Sequence, residues 1–573
     1  MYSRPKRVKL NDDFITALLE DNSESSLSEF DDSDADKTFN PVSSSESDVL
    51  SELSDNNEPS ISSNISVASQ TWTNVTGNYQ KPLQFYNNSG LKIDILVDST
   101  AWDILNLFLT NEIIELIVEE TNKNAQQFLS KNRLTKSSRF SKWIPTDQQE
   151  IKKFFGLIIW MGLVQMPTLE DYWSISTKYK NNVVQKIMSR NRFELILRFL
   201  HFSDNEKAPD DRIYKVRDLI DKLIENFQKI LEPEEFLAVD ETMVPFRGRL
   251  IFRQYIPGKA HKYGVKLFKL CGTNGYTYNV QVYAGKSQVD GKGLGCGVVL
   301  DLSQRYLNAG RTIITDNFYT SVPLAYELLK NKTHLVGTLR SNRVKLPEVT
   351  KAKLKPNEIV GRENIDGIVI AKWRDKRDVT MLTTRHNINM VDTGKINKKR
   401  ENIVKPQIII DYNKGKAGID LSDQLSSYNS PVRKSIRWYH KVAIELLFGT
   451  SIVNALLIYN KIKPNNKLKI TQFREALVDE LLGLNKPNEN ENEQLTSTSM
   501  QRTQRRTMKH IFQETTEKCK RNRKVRKRCA HCYEKQKCLE GSVKAREVKK
   551  ISTFCSTCQV YTCLSCFNIH HIN

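Results

Sequence analysis

The chain has 573 residues, 87 Lys and Arg against 66 Asp and Glu, a formal net charge of +21 and 39% hydrophobic residues. That length admits several domains, and the charge points to a polyanionic partner. A membrane-spanning or secreted protein is not expected, because no run of eighteen apolar residues occurs and the N-terminus does not read as a signal peptide; a soluble intracellular protein is.

Residues 1–90 are rich in Ser, Asp, Glu and Asn, and residues 11–60 hold fifteen acids against one Lys. Such a segment cannot bury enough apolar surface to offset chain entropy and is expected to be disordered. The run SESSLSEFDDSD offers serines to an acidophilic kinase, whose phosphates would weaken DNA affinity; a plain solubilising tail is the alternative. RPKRVKL, from Arg4, resembles a nuclear localisation signal, so a nuclear location is expected.

A helical region follows, over 95–235. In PTDQQEIKKFFGLIIWMGL, Thr146 and Gln149 predict a capping box, and Ile151, Phe154, Phe155, Ile158 and Ile159 keep helical face spacing. Phe193, Ile196, Leu197 and Leu200 repeat that spacing. These stripes read as core.

From 236 to 340 the pattern changes to short apolar runs. Residues 237–243 predict a strand ending near Asp240; 265–271 and 276–284 predict two more, joined by the tight-hairpin pair Asn274-Gly275. A helix over 297–309, a buried strand over 311–315 ending at Asp316, a helix over 321–331 with Ser321 as N-cap and Pro323 in its first turn, and the strand HLVGTLR follow. A basic insertion over 341–405 is too long for an ordinary loop and contains strand-like IVIAKW and VTMLTT around the charged turn RDKRD. In 406–425, KAGIDLSDQL places Asp420 and Asp423 at a predicted helix start.

Three strands, helix, strand, helix, strand and a helix carrying the last acid is the succession of an α/β RNase H-like core. There the first strand, fourth strand and last helix meet, so Asp240, Asp316 and Asp420 are expected at one sheet edge. Convergent carboxylates repel unless cations lie between them, and hard oxygen ligands suit Mg²⁺ or Mn²⁺. Two such ions fit in-line phosphoryl transfer.

Beyond the acids, 426–485 is again helical. Val442, Leu446 and Leu447 form a buried stripe, preceded by Arg433, Lys434, Arg437 and Trp438. Basic and aromatic residues together suit phosphates and unstacked bases, although Trp438 is read equally well as core. A basic linker, 486–528, ends in KCKRNRKVRKR.

Eight of the ten cysteines lie after residue 515. In a reducing compartment metal binding explains them better than disulfides. Cys529 with Cys532, Cys555 with Cys558 and Cys563 with Cys566 are three thiolate pairs, followed by His570 and His571. They predict a 529–573 domain with two Zn²⁺ ions, cross-braced as in RING and PHD modules, with pair one joined to pair three and pair two to the terminal His. Cys271 and Cys296 read as small buried hydrophobes.

At VDExMVPFRGR with RQYIPxKxxKYGxK, at TDNFYTSxPLAxxLL, and at YNxxKxGxDxxDQ followed by RKSIRWYxK and VNAxxIY, the chain closely resembles the piggyBac family of DNA transposases, over about residues 95–485 and the cysteine cluster. The resemblance implies that Asp240, Asp316 and Asp420 are catalytic acids, with Asp423 a fourth beside the third. It implies one dimerisation and DNA-binding domain built from 95–235 and 426–485, interrupted by the catalytic core, and a homodimer. It implies cut-and-paste chemistry on double-stranded DNA: nicking at 3′ ends, hairpin formation and opening, and insertion at TTAA. Arg253, Lys259, Lys262 and Lys266 would then hold phosphates near Asp240. His571 matches the closing zinc ligand better than His570; His570, His531 and Cys538 are candidates for the eighth. The alternative function is a host-recruited, non-catalytic DNA- or chromatin-binding protein of the same descent.

Overall fold

The computed structural model describes residues 71–484, except 136–137, 208–209, 258–260, 286–292, 344–345, 397–399, 401 and 433–436, and residues 512–571, except 520–522, 557 and 559; at 207, 541 and 569–571 it describes the backbone alone. The acidic tail, its serines, RPKRVKL and most of the basic linker lie outside the described residues. The chain forms two units, Met1–Leu484 and Asn485–Asn573.

In the first unit, helices α1 (Ala101–Asn106), α2 (Asn111–Lys131), α3 (Gln148–Leu163), α4 (Asn182–Ile187), α5 (Arg190–Phe199) and α6 (Tyr214–Ile230) precede the sheet. The α3 stripe is buried as expected. Its cap lies one residue later than Thr146: the Asp147 side chain accepts the Glu150 N–H at 2.8 Å, while the Thr146 hydroxyl donates to the Glu150 carboxylate. The acid is the stronger acceptor for that backbone group.

The central strands are β1 (Phe236–Pro245), β2 (Tyr263–Gly272), β3 (Thr277–Val282), β4 (Thr312–Thr315) and β5 (His334–Thr338), with helices α7 (Leu294–Ser303) and α8 (Val322–Lys330) in the crossovers. Their order is β3-β2-β1-β4-β5; β2 is antiparallel to both neighbours, and β4 and β5 run parallel to β1. The β2–β3 turn uses Gly275 at φ +91°, and Ser321 caps α8 by accepting the Leu324 N–H.

Within the basic insertion, β6 (Ile359–Glu363), β7 (Val369–Arg374) and β8 (Asp378–Thr383) extend this sheet, β8 pairing antiparallel with β5. Their alternation buries Ile370 and Leu382 in the main core, and Met381 and Trp373 against the opposite face. Only β9 (Met390–Ile396) and β10 (Asn402–Pro406) form a separate ribbon.

Helix α9 (Gln407–Ser427) then crosses the sheet, followed by α10 (Trp438–Ile462), which contains a π-helical segment at Glu445–Thr450, and α11 (Ile470–Leu482). Helix α10 contains a stretch long and apolar enough to cross a membrane by length and composition, yet most of that stretch is buried inside the unit. The early and late helices pack together: Phe155 meets Phe448 edge-on at 5.0 Å, and the Glu480 carboxylate accepts the Ala101 N–H at the start of α1.

The second unit contains β11 (Phe512–Glu514), β12 (Thr553–Cys555) and β13 (Val560–Tyr561) in one small sheet, with helices α12 (Ala530–Ala545) and α13 (Leu564–His571).

Candidate active site and metal centre

Asp240 lies midway along β1, and Asp316 follows the last residue of β4. These strands are neighbours with Val239 in register with Thr315, so the two acids stand side by side at one level of the sheet. Helix α9 covers this level. Tyr412, Lys416 and Ile419 of α9 line a small recess with Asp240, Asp316 and their strand neighbours. Asp420 is one turn beyond Lys416 on the same helix and exposed. The structure thus brings Asp240, Asp316 and Asp420 around one point, with the Lys416 ammonium among them.

The acids do not stand at the helix start, as expected, but in the second half of a 21-residue helix. The Lys-Ala-Gly run reads as a break; in the fold, Gly415 and Gly418 are the points where α9 touches the sheet. A Cβ at Gly415 would collide with Ile314, and one at Gly418 with the carbonyl oxygen of Gly272, which is backbone and cannot yield. Gly418→Ala is therefore expected to lift α9 and its acid from β1 and to reduce DNA cleavage at least tenfold while the chain stays folded, the misplacement penalty of a preorganised centre. Cleavage by Gly418→Ala at the wild-type rate would refute this account of the close approach.

Electrostatics follow the geometry. Burial raises the Asp316 carboxyl above its usual range, against the Phe318 N–H, which donates to Oδ1 at 2.8 Å; Glu241 raises it further and Lys416 draws it down. For Lys416, burial alone would lower the ammonium, but Tyr412, Asp240, Asp420 and Asp316 outweigh it and hold the ammonium up. A resident cation among three carboxylates shows the negative field such a centre makes. Hard oxygen donors around one recess fit Mg²⁺ or Mn²⁺.

Asp423 is engaged elsewhere. Its carboxylate accepts from Thr242 Oγ1 at 2.7 Å and pairs with the fully buried Lys269 Nζ at 3.2 Å. Glu241, Lys416 and Lys269 were missed in the sequence. A lysine four residues before Asp420, and a lone lysine in the apolar strand YGVKLFKLCG, were the available signals.

The basic residues divide. Lys262 is exposed just before β2, seven positions along from Lys269, which faces Asp240, whereas Arg253 donates to the carbonyls of Arg247 and Gly248 and stacks over Tyr263 at 5.3 Å, shaping its own loop. Three expected DNA contacts are corrected by burial. Lys266 is 8% exposed and lies over the rings of Phe268 and Phe318. Arg437 is held by the Arg198 carbonyl, and Trp438 packs edge-on against Phe252 at 5.1 Å. Lys259, Arg433 and Lys434 lie outside the described residues.

In the second unit, Cys529 precedes α12 and Cys532 sits in its first turn; Cys563 and Cys566 repeat this arrangement at α13. All four sulfurs lie within 4.8 Å of one another, with Cys532 at 3.8 Å from Cys563 and 3.4 Å from Cys566. Tetrahedral Zn²⁺ with bonds of about 2.3 Å sets its sulfurs roughly 3.8 Å apart, so the cluster fits that ion. Burial raises the Cys529 thiol, but the N–H groups of Cys532 and Cys563 and the neighbouring thiols more than offset this and draw it down to about 7. Pair one has joined pair three. In the second pair the Cys558 N–H donates to Cys555 Sγ at 3.4 Å. Cys538 is exposed, and the side chains of His570 and His571 lie outside those described.

The family model described as Transposase IS4 matches residues 100–456. Human PiggyBac transposable element-derived protein 3 is 31% identical over 404 residues, 66% of this chain and 64% of that protein. Human PiggyBac transposable element-derived protein 2 is 26% identical over 393 residues, 65% of this chain and 64% of its own length. In both cases the match spans a little under two thirds of the relative. Among solved structures, a piggyBac transposase synaptic complex with hairpin DNA aligns with a TM-score of 0.62 at 25% identity, covering 84% of this chain and all of that one.

Proposed function

The chain belongs to the piggyBac family of transposases, and on that premise we propose that it is a DDE/D-type DNA transposase acting by cut-and-paste on double-stranded DNA. The observation that carries this reading is the meeting of β1, β4 and α9, where Asp240 and Asp316 line one recess with Lys416 and Asp420 follows one turn later on α9. The topology of the five central strands supports an RNase H-like core, interrupting a helical dimerisation and DNA-binding domain formed by 95–235 and 426–485.

In the proposed reaction Asp240 and Asp316, fixed side by side on a rigid sheet, and Asp420, delivered by α9, are the catalytic acids and the ligands of two divalent ions. Bound there, Mg²⁺ or Mn²⁺ would activate the attacking water or 3′-hydroxyl and stabilise the leaving oxygen. Asp423 acts as the brace of α9 against β1 through Thr242 and Lys269. Lys262, exposed before β2, holds the DNA backbone, a contact that fixes position without reading sequence. The product sequence is nicking at the transposon 3′ ends, hairpin formation and opening, and joining at TTAA, carried out by a homodimer in the nucleus. Two Zn²⁺ ions hold the C-terminal unit, one on the four gathered cysteines and one on Cys555, Cys558 and the terminal histidine.

The test is incubation of the full chain and Mg²⁺ with labelled DNA carrying the sequences that flank its own gene. Nicks, hairpins and joining at TTAA are expected. The curated relatives are described as element-derived proteins, which favours a second reading, a host-recruited DNA- or chromatin-binding protein. Tight DNA binding with no nick at any Mg²⁺ or Mn²⁺ concentration would select that reading over ours.

A further inference from the structure

Three buried charges of the first unit, Lys269, Glu445 and Arg474, take no part in the proposed chemistry. Lys269 of β2 is fully buried and stands in register opposite Asp240 on β1. Its ammonium reaches Asp423 at 3.2 Å and is also held by Glu445. Glu445 is 8% exposed and opens the π-helical segment of α10. Its carboxylate folds over Gly449, where a Cβ would come within 2.6 Å of Oε1. Ser426, one turn beyond Asp423 on α9, also hydrogen-bonds it. Behind it lies Arg474 of α11, with no exposed surface and no hydrogen-bond partner among the described residues for any of its three guanidinium nitrogens.

Such an arrangement is costly. Each ion taken from water costs several kcal/mol, and apolar residues of the same volume commonly stabilise a core as well or better. An alternating line of charge is retained where it fixes one geometry against others, and π-bulges of this kind gather at functional sites. Here the line ends on Asp423, whose other partner, Thr242, lies two residues from Asp240 on the same face of β1. Asp420 is one turn away.

We infer that Glu445 and Arg474 are positioning residues, which through Lys269 and Asp423 set the spacing between Asp420 on α9 and Asp240 on β1. This rests on the transposase reading only in what the spaced acids are for. The line acts through the scaffold and touches neither DNA nor the ions.

The test compares the full-length chain with Glu445→Gln, which keeps shape and removes charge, and Gly449→Ala, which keeps charge and displaces it. Leu195→Ala, in the small separate cluster with Ala125 and Phe199, controls for lost stability. Three quantities are measured: Mn²⁺ affinity of the DNA-free protein by paramagnetic resonance, the Mg²⁺ concentration giving half-maximal cleavage, and the thermal midpoint. Both network variants should weaken Mn²⁺ binding and raise the Mg²⁺ requirement by about tenfold, the usual effect of losing a group behind the ligands, with DNA affinity unchanged. The control should lower the thermal midpoint and leave metal dependence alone. Unchanged metal affinity in both network variants, or an equal shift in the control, overturns the inference. If the wild type binds Mn²⁺ but never cuts, the transposase reading fails while the Mn²⁺ affinities still decide the network. If Mn²⁺ binding is absent, or unaffected by Asp316→Asn, both readings fall.

Discussion

Asp240→Asn, Asp316→Asn and Asp420→Asn should each lose DNA cleavage by roughly 10³-fold or more, the several kcal/mol of charge stabilisation that a metal centre supplies, while DNA binding persists or tightens. The asymmetry follows from where the residues stand. Asp240 and Asp316 line one recess and Asp420 stands one turn beyond Lys416 on the helix that covers it, so on the proposed reading each substitution removes an ion's ligand, and none removes a group proposed to face the phosphate backbone. The sign of the binding change is informative, because deleting a carboxylate from a cleft meant for a polyanion removes repulsion. Asp423→Asn should behave differently. It leaves the buried Lys269 short of a partner, so thermal stability falls and cleavage declines only through displacement of α9. Electrophoretic separation of nicked, hairpinned and intact DNA, together with a binding isotherm for each variant, checks all four. Equal loss of binding and cleavage in the three acid variants would mean that they unfold the site, and would remove them from the chemistry.

Removing zinc should have the second large effect, confined to the C-terminal unit. That unit has a few two- and three-residue strands and two helices, and its buried apolar set includes Ala545 and Phe567. Binding of a structural Zn²⁺ to thiolates is worth about 10–16 kcal/mol at neutral pH, comparable to a whole domain's stability. Chelation, or Cys532→Ser, is therefore expected to abolish the folding of residues 512–571 while the sheet of the first unit stays intact. Native mass spectrometry should count two zinc ions per wild-type chain, and amide hydrogen exchange should localise the lost protection. A zinc-free chain with full protection at Cys529–Ala545 would refute a structural ion there.

Much of this molecule was legible where local rules and function coincide. Asn274-Gly275 announced its hairpin because few other pairs accept φ near +90°, and Ser321 with Pro323 announced α8 because each satisfies a helix end in its own way. The acids were legible because chemistry restricts residue type more than packing does. What escaped was non-local. Strands β6 to β8 carry ordinary strand patterns, and nothing within them says that their partner is β5 rather than one another alone. Gly415 and Gly418 weaken a helix by propensity, so their run read as a boundary; only the sheet beneath explains them. Trp438, Arg437 and Lys266 looked like nucleic-acid ligands because side chains with an apolar body and a polar tip have the same composition in a core as on a surface. The ammonium of Lys269 drew no attention because its partners lie on α9 and α10, far along the chain.

The order of elements along the chain also sets when the candidate centre can first exist. Asp240 leaves the ribosome long before Asp420, by roughly ten to forty seconds at ordinary elongation rates, and the helices that lock α9 come later still. Half-made chains therefore carry two of the acids without the third, and on the proposed reading the centre exists only once α9 and the helices packed on it have been made.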